Sequence, residues 1–156
     1  MQLSEILRLE GVVPNLKTAN KKQLLQELAA HAGRLTKLDP RGILETLLRR
    51  EKLGSTGFGH GIAIPHGKFA GIDRVHGVFA RLVQPVEFDA VDDQPVDLVF
   101  ALLAPEAAGA DHLKALARIS RLFRDQTVVQ KLRGTTDREG LYAILTEPAA
   151  SAPHAA

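Results

Sequence analysis

The sequence contains no cysteine and no tryptophan, a single methionine and a single tyrosine, and aromatic residues make up only 4% of its 156 positions. Without cysteine there is no disulfide, no thiolate nucleophile and no cysteine-ligated zinc site, so packing alone must hold the fold, as suits a reducing compartment. Scarce aromatics and scattered lysines and arginines leave no stacking platform for single-stranded nucleic acid. Twenty basic residues stand against 18 acidic ones, a net charge of +2, and a balance so close does not imply a nucleic-acid partner. No apolar run approaches the roughly 20 residues that span a bilayer, and Met1–Ile6 lacks the basic-then-apolar order of an export signal. A cytoplasmic protein with no membrane insertion is expected.

What the chain does have is 45% hydrophobic residues, enough at this length to bury the core of one domain. We expect that domain over residues 1–146, and a frayed tail rich in Ala, Pro and Ser over 147–156. After a short amphipathic segment, Leu3 to Leu9, and an extended stretch, Val12 to Leu16, a helix should begin near Thr18 or Asn20, either of which can cap it. Leu24, Leu25, Leu28, Ala32 and Leu35 follow at helical spacing. Asp39-Pro40 opens a second helix with the cap and first-turn proline in the favoured order, its apolar face being Ile43, Leu44, Leu47 and Leu48. The short connection predicts an antiparallel helix pair.

Two strands are predicted, Val75 to Val83 and Val96 to Leu103; the second, a nearly continuous apolar run, reads as a central strand buried on both faces. Turn chemistry occupies Gln84 to Pro95. Helix resumes near Asp111, Asp125 caps a short helix closed by Gly134, and Thr136-Asp137-Arg138-Glu139 matches a reciprocal capping box for a last one. The class is α/β, a mixed β-sheet flanked by α-helices.

The stretch from Gly54 to Lys68 is the place for chemistry. It sets His60 and His66 among glycines interrupted by Ile62-Ala63-Ile64, which wants burial, so the chain should anchor a strand there and present an imidazole at its end. Pro65 fixes the backbone before His66, and Gly67 after it allows close approach of other backbone or a partner. A neutral imidazole with one ring nitrogen tied to a backbone carbonyl presents the other as a nucleophile. The glycine amides and the hydroxyls of Ser55 and Thr56 are donors able to cradle an anion, which makes phosphoryl transfer to the imidazole the economical reading. His60 and His66 match no named zinc pattern, Ser55 lies in no nucleophile elbow, and Gly67-Lys68-Phe69 replaces the Gly-Lys-Ser/Thr of a nucleotide loop. His31, His76 and His154 read as structural or exposed. On residue type alone, Arg50 is a solvated helix end and His112 an exposed first-turn residue.

Three blocks carry a family resemblance: Arg49-Arg50-Glu51 followed by Gly54-Ser55-Thr56-Gly57, then Gly61-Ile62-Ala63-Ile64-Pro65-His66-Gly67, then Asp111-His112-Leu113-Lys114-Ala115-Leu116-Ala117. From Leu3 to about Leu145 the chain resembles enzyme IIA of the fructose and mannitol class of the bacterial phosphoenolpyruvate-dependent phosphotransferase system, most closely its nitrogen-regulatory type. The resemblance implies a phosphocarrier with no metal or cofactor, whose His66 accepts a phosphoryl group on the tele nitrogen from an HPr-like protein. It places Arg50 and His112 beside that histidine; Ser55, Thr56 and Gly67, as donors read from the residues themselves, are expected to support the phosphate. It further implies regulated partners such as potassium transporters or sensor kinases. The alternative is a sugar-specific component that hands its phosphate to a IIB domain. His60 could flank the site, without an assigned role.

Overall fold

A computed structural model describes residues 1–147; most of the tail expected over 147–156 lies outside them. Among the described residues, five α-helices flank one six-stranded sheet. The amphipathic start resolves into two 3-10 turns, Leu3–Glu5 and Leu9–Gly11, ahead of strand β1, Val12–Leu16. Helix α1, Lys21–Thr36, begins at Asn20, whose side chain accepts from the Gln23 amide. Helix α2, Pro40–Lys52, is capped by Asp39.

The glycine-dense stretch is not a loop. It folds into β2, Gly57–Gly59, β3, Ile62–Ala63, and β4, His66–Phe69. β2 and β3 form an antiparallel hairpin across His60-Gly61, and both of these residues have positive φ, 59° and 81°. Positive φ at both turn positions matches the twist of the flanking strands, which is why glycine is wanted there. At Gly61 a Cβ would also collide with the Arg133 guanidinium.

The two long strands run past their expected ends, β5 as His76–Val86 and β6 as Val96–Pro105. Pro85, read as turn, lies inside β5 where the pairing register with β6 shifts between Arg81 and Val86; such an irregularity is where a strand accommodates the missing amide. The order β1-β5-β6-β3-β2, with β4 also on β6, makes β6 central. β5 pairs with it antiparallel, β3 and β4 parallel. The sheet is mixed, as expected.

Strand alternation divides the core in two. Val78, Ala80, Leu82, Val99, Ala101 and Leu103 pack with Leu24, Leu28, Ile43 and Leu47 of α1 and α2. Phe79, Leu98, Phe100 and Leu102 pack on the other side with residues of α3, Ala110–Arg124, α4, Gln126–Arg133, and α5, Arg138–Thr146. Phe79, Phe100 and Phe123 cluster there with ring centroids 6.3 to 6.4 Å apart, a separation at which aromatic pairs attract beyond their buried area. Asp125 caps α4 as expected. α5 is capped by Asp137, whose side chain accepts from the Gly140 amide, so the cap lies one residue beyond the Thr136 of the expected box.

Candidate functional site

The site lies where the chain passes from the β2–β3 hairpin into β4, between the end of α2 and the start of α3. The Pro65 carbonyl accepts from the Leu102 amide at 2.9 Å, and His66 then pairs with Leu102 as β4 joins β6. Phe69 packs into the α1–α2 core, and a Cβ on Gly67 would sit 2.9 Å from Thr46 Cγ2 of α2. Gly67 and Phe69 thus face one helical layer, and alternation turns His66 and Lys68 to the other side. There the rings of His66 and His112, on the first turn of α3, have centroids 5.6 Å apart.

His66 is half-buried and its tautomer is dictated by its partners. Nδ1 lies 2.8 Å from the Ile64 carbonyl, which can only accept, so Nδ1 carries the proton. Nε2 is left with its lone pair, and Arg50 Nε donates to it at 3.3 Å. Burial holds the His66 pKa below its ordinary value, and the Arg50 charge adds to this against the opposing Ile64 hydrogen bond and Glu51. The ring is therefore a neutral base at neutral pH. Burial, and then the charges of His66 and Lys68, push His112 down as well.

Arg50 is held at its other end by a 2.8 Å bond from Nη1 to the Gly54 carbonyl. Thr46, Arg49 and Arg50 of α2 and Leu53 at its C-cap share one helical face, with Thr46 three and four positions from Arg49 and Arg50, and these two four and three from Leu53; all four line a cavity of about 340 Å³ with His66, Gly67, Lys68 and His112. Three cations and no carboxylate line it. Leu53, 83% exposed, forms an apolar rim. Such a lining suits a group that arrives with two negative charges.

Several expectations are redrawn by these contacts. Ser55 and Thr56 do not line the cavity. Ser55 Oγ donates to the Phe88 carbonyl at 2.7 Å and accepts from the Gly57 amide, and Thr56 Oγ1 donates to Glu51. Their hydroxyls are spent on tying the entry to β2 to Phe88 and to Glu51 of α2. His112 is buried, with a relative exposure of 8%, its ring against that of His66; its Nδ1 has no hydrogen-bond partner among the described residues. His60 sits at the hairpin tip, its amide bonded to Asp92 and its carbonyl to Arg133, lining a separate depression.

Glu51 is the residue that sequence reasoning passed over. Its side chain is 5% exposed and takes Lys21 Nζ at 3.0 Å and the Thr56 amide at 3.1 Å in addition to the Thr56 hydroxyl. Lys21 also donates to the Phe88 carbonyl at 3.3 Å and lies over the Phe88 ring. This knot ties α1, the end of α2 and the entry to β2 together, and so sets Arg50 relative to His66. An acidic residue beside a site arginine was the available signal. Among the described residues, no group of three or more His, Asp or Glu is placed to hold a metal ion, and no helix is long and apolar enough to cross a membrane.

The family model described as "Phosphoenolpyruvate-dependent sugar phosphotransferase system, EIIA 2" matches residues 5–147. The chain belongs to this enzyme IIA family. A nitrogen regulatory protein of Bradyrhizobium diazoefficiens is 53% identical over 152 residues, 97% of this chain and 99% of the relative. The crystal structure of nitrogen regulatory protein IIA-Ntr from Neisseria meningitidis superposes with a TM-score of 0.88 at 40% identity, covering 92% of this chain and 99% of that one. The fold is shared by mannitol enzyme IIA of Escherichia coli in its complex with phosphorylated mannitol enzyme IIB, with a TM-score of 0.77, 21% identity and coverage of 92% and 100%. This enzyme IIA is a phosphoryl carrier of the phosphotransferase system by family, and its nitrogen-regulatory kinship agrees with the type that the motifs resemble.

Proposed function

We propose that this enzyme IIA accepts a phosphoryl group on His66 Nε2 from the phosphohistidine of an HPr-like protein, and that partner proteins read the phosphorylated state. The observation that carries this is the pinned tautomer: with the Nδ1 proton on the Ile64 carbonyl, Nε2 is the nucleophile and opens on the cationic cavity. The Nε2 lone pair attacks phosphorus in line. A bond from Nε2 to phosphorus forms as the donor's phosphorus–nitrogen bond breaks, its electron pair returning to the donor imidazole. Arg50 gives up its bond to Nε2 and donates to phosphoryl oxygens instead, with Arg49 and Lys68 offsetting the added charge and His112 a further donor at the N-terminal end of α3. Donor and acceptor are both phosphoramidates, so the protein contributes positioning and electrostatics rather than driving force.

Phosphorylation changes the charge of a surface bordered by exposed Leu53, which is a local event a docked partner can distinguish. Regulation of transporters or sensor kinases is the reading that kinship to nitrogen regulatory proteins favours. Relay to a IIB domain is the second reading, supported by the shared fold of a mannitol enzyme IIA that was solved bound to its IIB.

The test is intact-mass measurement after incubation with phosphoenolpyruvate, the first phosphotransferase enzyme and an HPr-like carrier. We expect one phosphate, labile in acid and stable in alkali, on the wild type and none on His66→Ala. Equal labelling of that variant would overturn the assignment. Phosphate passed on to a IIB domain in support of sugar uptake would decide for relay, and partner binding that depends on phosphorylation for regulation.

A further inference from the structure

A second cavity, of about 390 Å³, shares no lining residue with the first. Arg8, Glu10, His31, Arg34, Leu35 and Lys37 line it. It lies between the second 3-10 turn, Leu9–Gly11, and the C-terminal end of α1, whereas the phosphoryl cavity is built by α2, β4 and α3. None of the ion pairs among the described residues involves Arg8, Arg34 or Lys37.

Three cations against one carboxylate leave a net +2 in a concave site, with His31 neutral. That is an unusual thing to leave uncompensated, since basic side chains placed for solubility spread apart. Nor are the Arg34 and Lys37 side chains used to close the end of α1. The Ala32 carbonyl is taken by the Thr36 hydroxyl at 2.8 Å and the Gly33 carbonyl by the Lys37 amide at 2.8 Å.

His31 is set as a donor. Arg34 Nη2 lies 2.8 Å from Nδ1, and a guanidinium can only donate, so Nδ1 is the acceptor and the ring proton is on Nε2. Burial, then Arg34 and Arg138, hold the His31 pKa below its ordinary value, against Glu27. The bond also orients the planar guanidinium, which presents its remaining N–H groups in a fixed fork. Arg8, which lines the cavity, also acts on His76, together with Arg74 and against Asp73.

We propose that this cavity binds a small polyanion, a phosphate- or pyrophosphate-bearing metabolite held by Arg8, Arg34, Lys37 and His31 Nε2–H. Leu35 offers contact to an apolar portion, and Glu10 is placed to accept from a hydroxyl. The excess of positive charge favours a phosphate or pyrophosphate group, and the volume falls in the range of small-molecule sites. The site is independent of phosphoryl transfer, so a ligand there would act on the carrier without competing for His66.

Inorganic pyrophosphate is the probe. Titrated at low ionic strength into ¹⁵N-labelled full-length protein, it should produce saturable one-site shifts at Arg8, Glu10, His31, Arg34 and Lys37. Arg8→Gln and Arg34→Gln should each weaken binding by about tenfold or more, the loss of one charge-assisted contact. Arg124→Gln, a surface cation elsewhere, should leave it unchanged, and thermal melts should show all three variants folded. Shifts confined to His66 and Lys68, shifts that never saturate, or wild-type affinity in both Arg8→Gln and Arg34→Gln would overturn the proposal. So would binding of a glutamate-rich peptide in this cavity with no response to pyrophosphate, since the surface would then serve an acidic protein segment. Each outcome is independent of whether His66 accepts phosphate.

Discussion

His60 and His66 stand in one glycine-rich stretch, six positions apart, and the fold gives them opposite surroundings. His66 opens a strand that is paired to the central strand of the sheet, its ring half-buried and bonded at both nitrogens. His60 tips a two-residue turn with its backbone, not its ring, bonded to Asp92 and Arg133. Imidazole chemistry is available to both. What separates them is whether the backbone delivers the ring to a place where one nitrogen is tied and the other faces cations.

The sharpest way to break that contrast is to exchange the losses. His66→Ala should abolish phosphoryl labelling while His60→Ala leaves the initial rate within about twofold of wild type, checked by intact mass under identical carrier concentrations. Glu51 should come next in magnitude. Glu51→Ala strands the Lys21 charge and the Thr56 amide, and should cost about 2–4 kcal/mol in urea unfolding; an effect below half a kcal/mol would remove the knot from the account of how Arg50 is held.

Arg50→Ala should slow labelling about tenfold to a hundredfold, the worth of a charge-assisted contact made to the phosphoryl group. Because the Arg50 charge helps depress His66, the same variant should raise the His66 pKa, read from the ring proton shifts by NMR. A slower rate with an unmoved pKa would separate the two roles.

A smaller effect is expected of pH. His31, His66, His76 and His112 all have folded-state values below the ordinary one, with burial the largest cause in each. The unfolded chain therefore takes up protons first as pH falls. Stability should be complete above about pH 6.5, the unfolded value, and decline as pH drops from there through the lower folded values. Urea melts between pH 7.5 and 5 would check this, and His112→Asn should flatten the slope. The smallest effect belongs to the turn. His60→Gly relieves a positive φ at an exposed position and should change stability by less than about 1 kcal/mol, measured the same way.

Much of this was legible in the chain because it is written in local chemistry. Asn20, Asp39 and Asp125 each carry a capping oxygen at the right place, and each caps. The apolar run from Val96 reads as a doubly buried strand and is one. The hairpin was not legible, since β2 and β3 are too short to show a period and their glycines read equally well as loop. The capping box at Thr136 failed by one residue because Asp137 competes for the same role with a stronger acceptor. Ser55 and Thr56 were placed on the phosphate because a hydroxyl's partner is a tertiary matter: Phe88 and Glu51 claim them.

The motif around Pro65-His66-Gly67 was enough to mark the histidine, since proline and glycine constrain their own backbone wherever they stand. That Nε2 is the acceptor came only from the family resemblance; in the fold it rests on the Ile64 carbonyl, 2.8 Å from Nδ1, which holds the proton there and leaves Nε2 its lone pair. Nor could the chain announce that His112 is buried, or that Arg49, Arg50 and Lys68 share one cavity. Periodicity, caps and turn residues act over a few positions, and the sequence by itself determined those. Charge convergence and burial are made by segments far apart in the chain, and only packing on the common sheet brings them together.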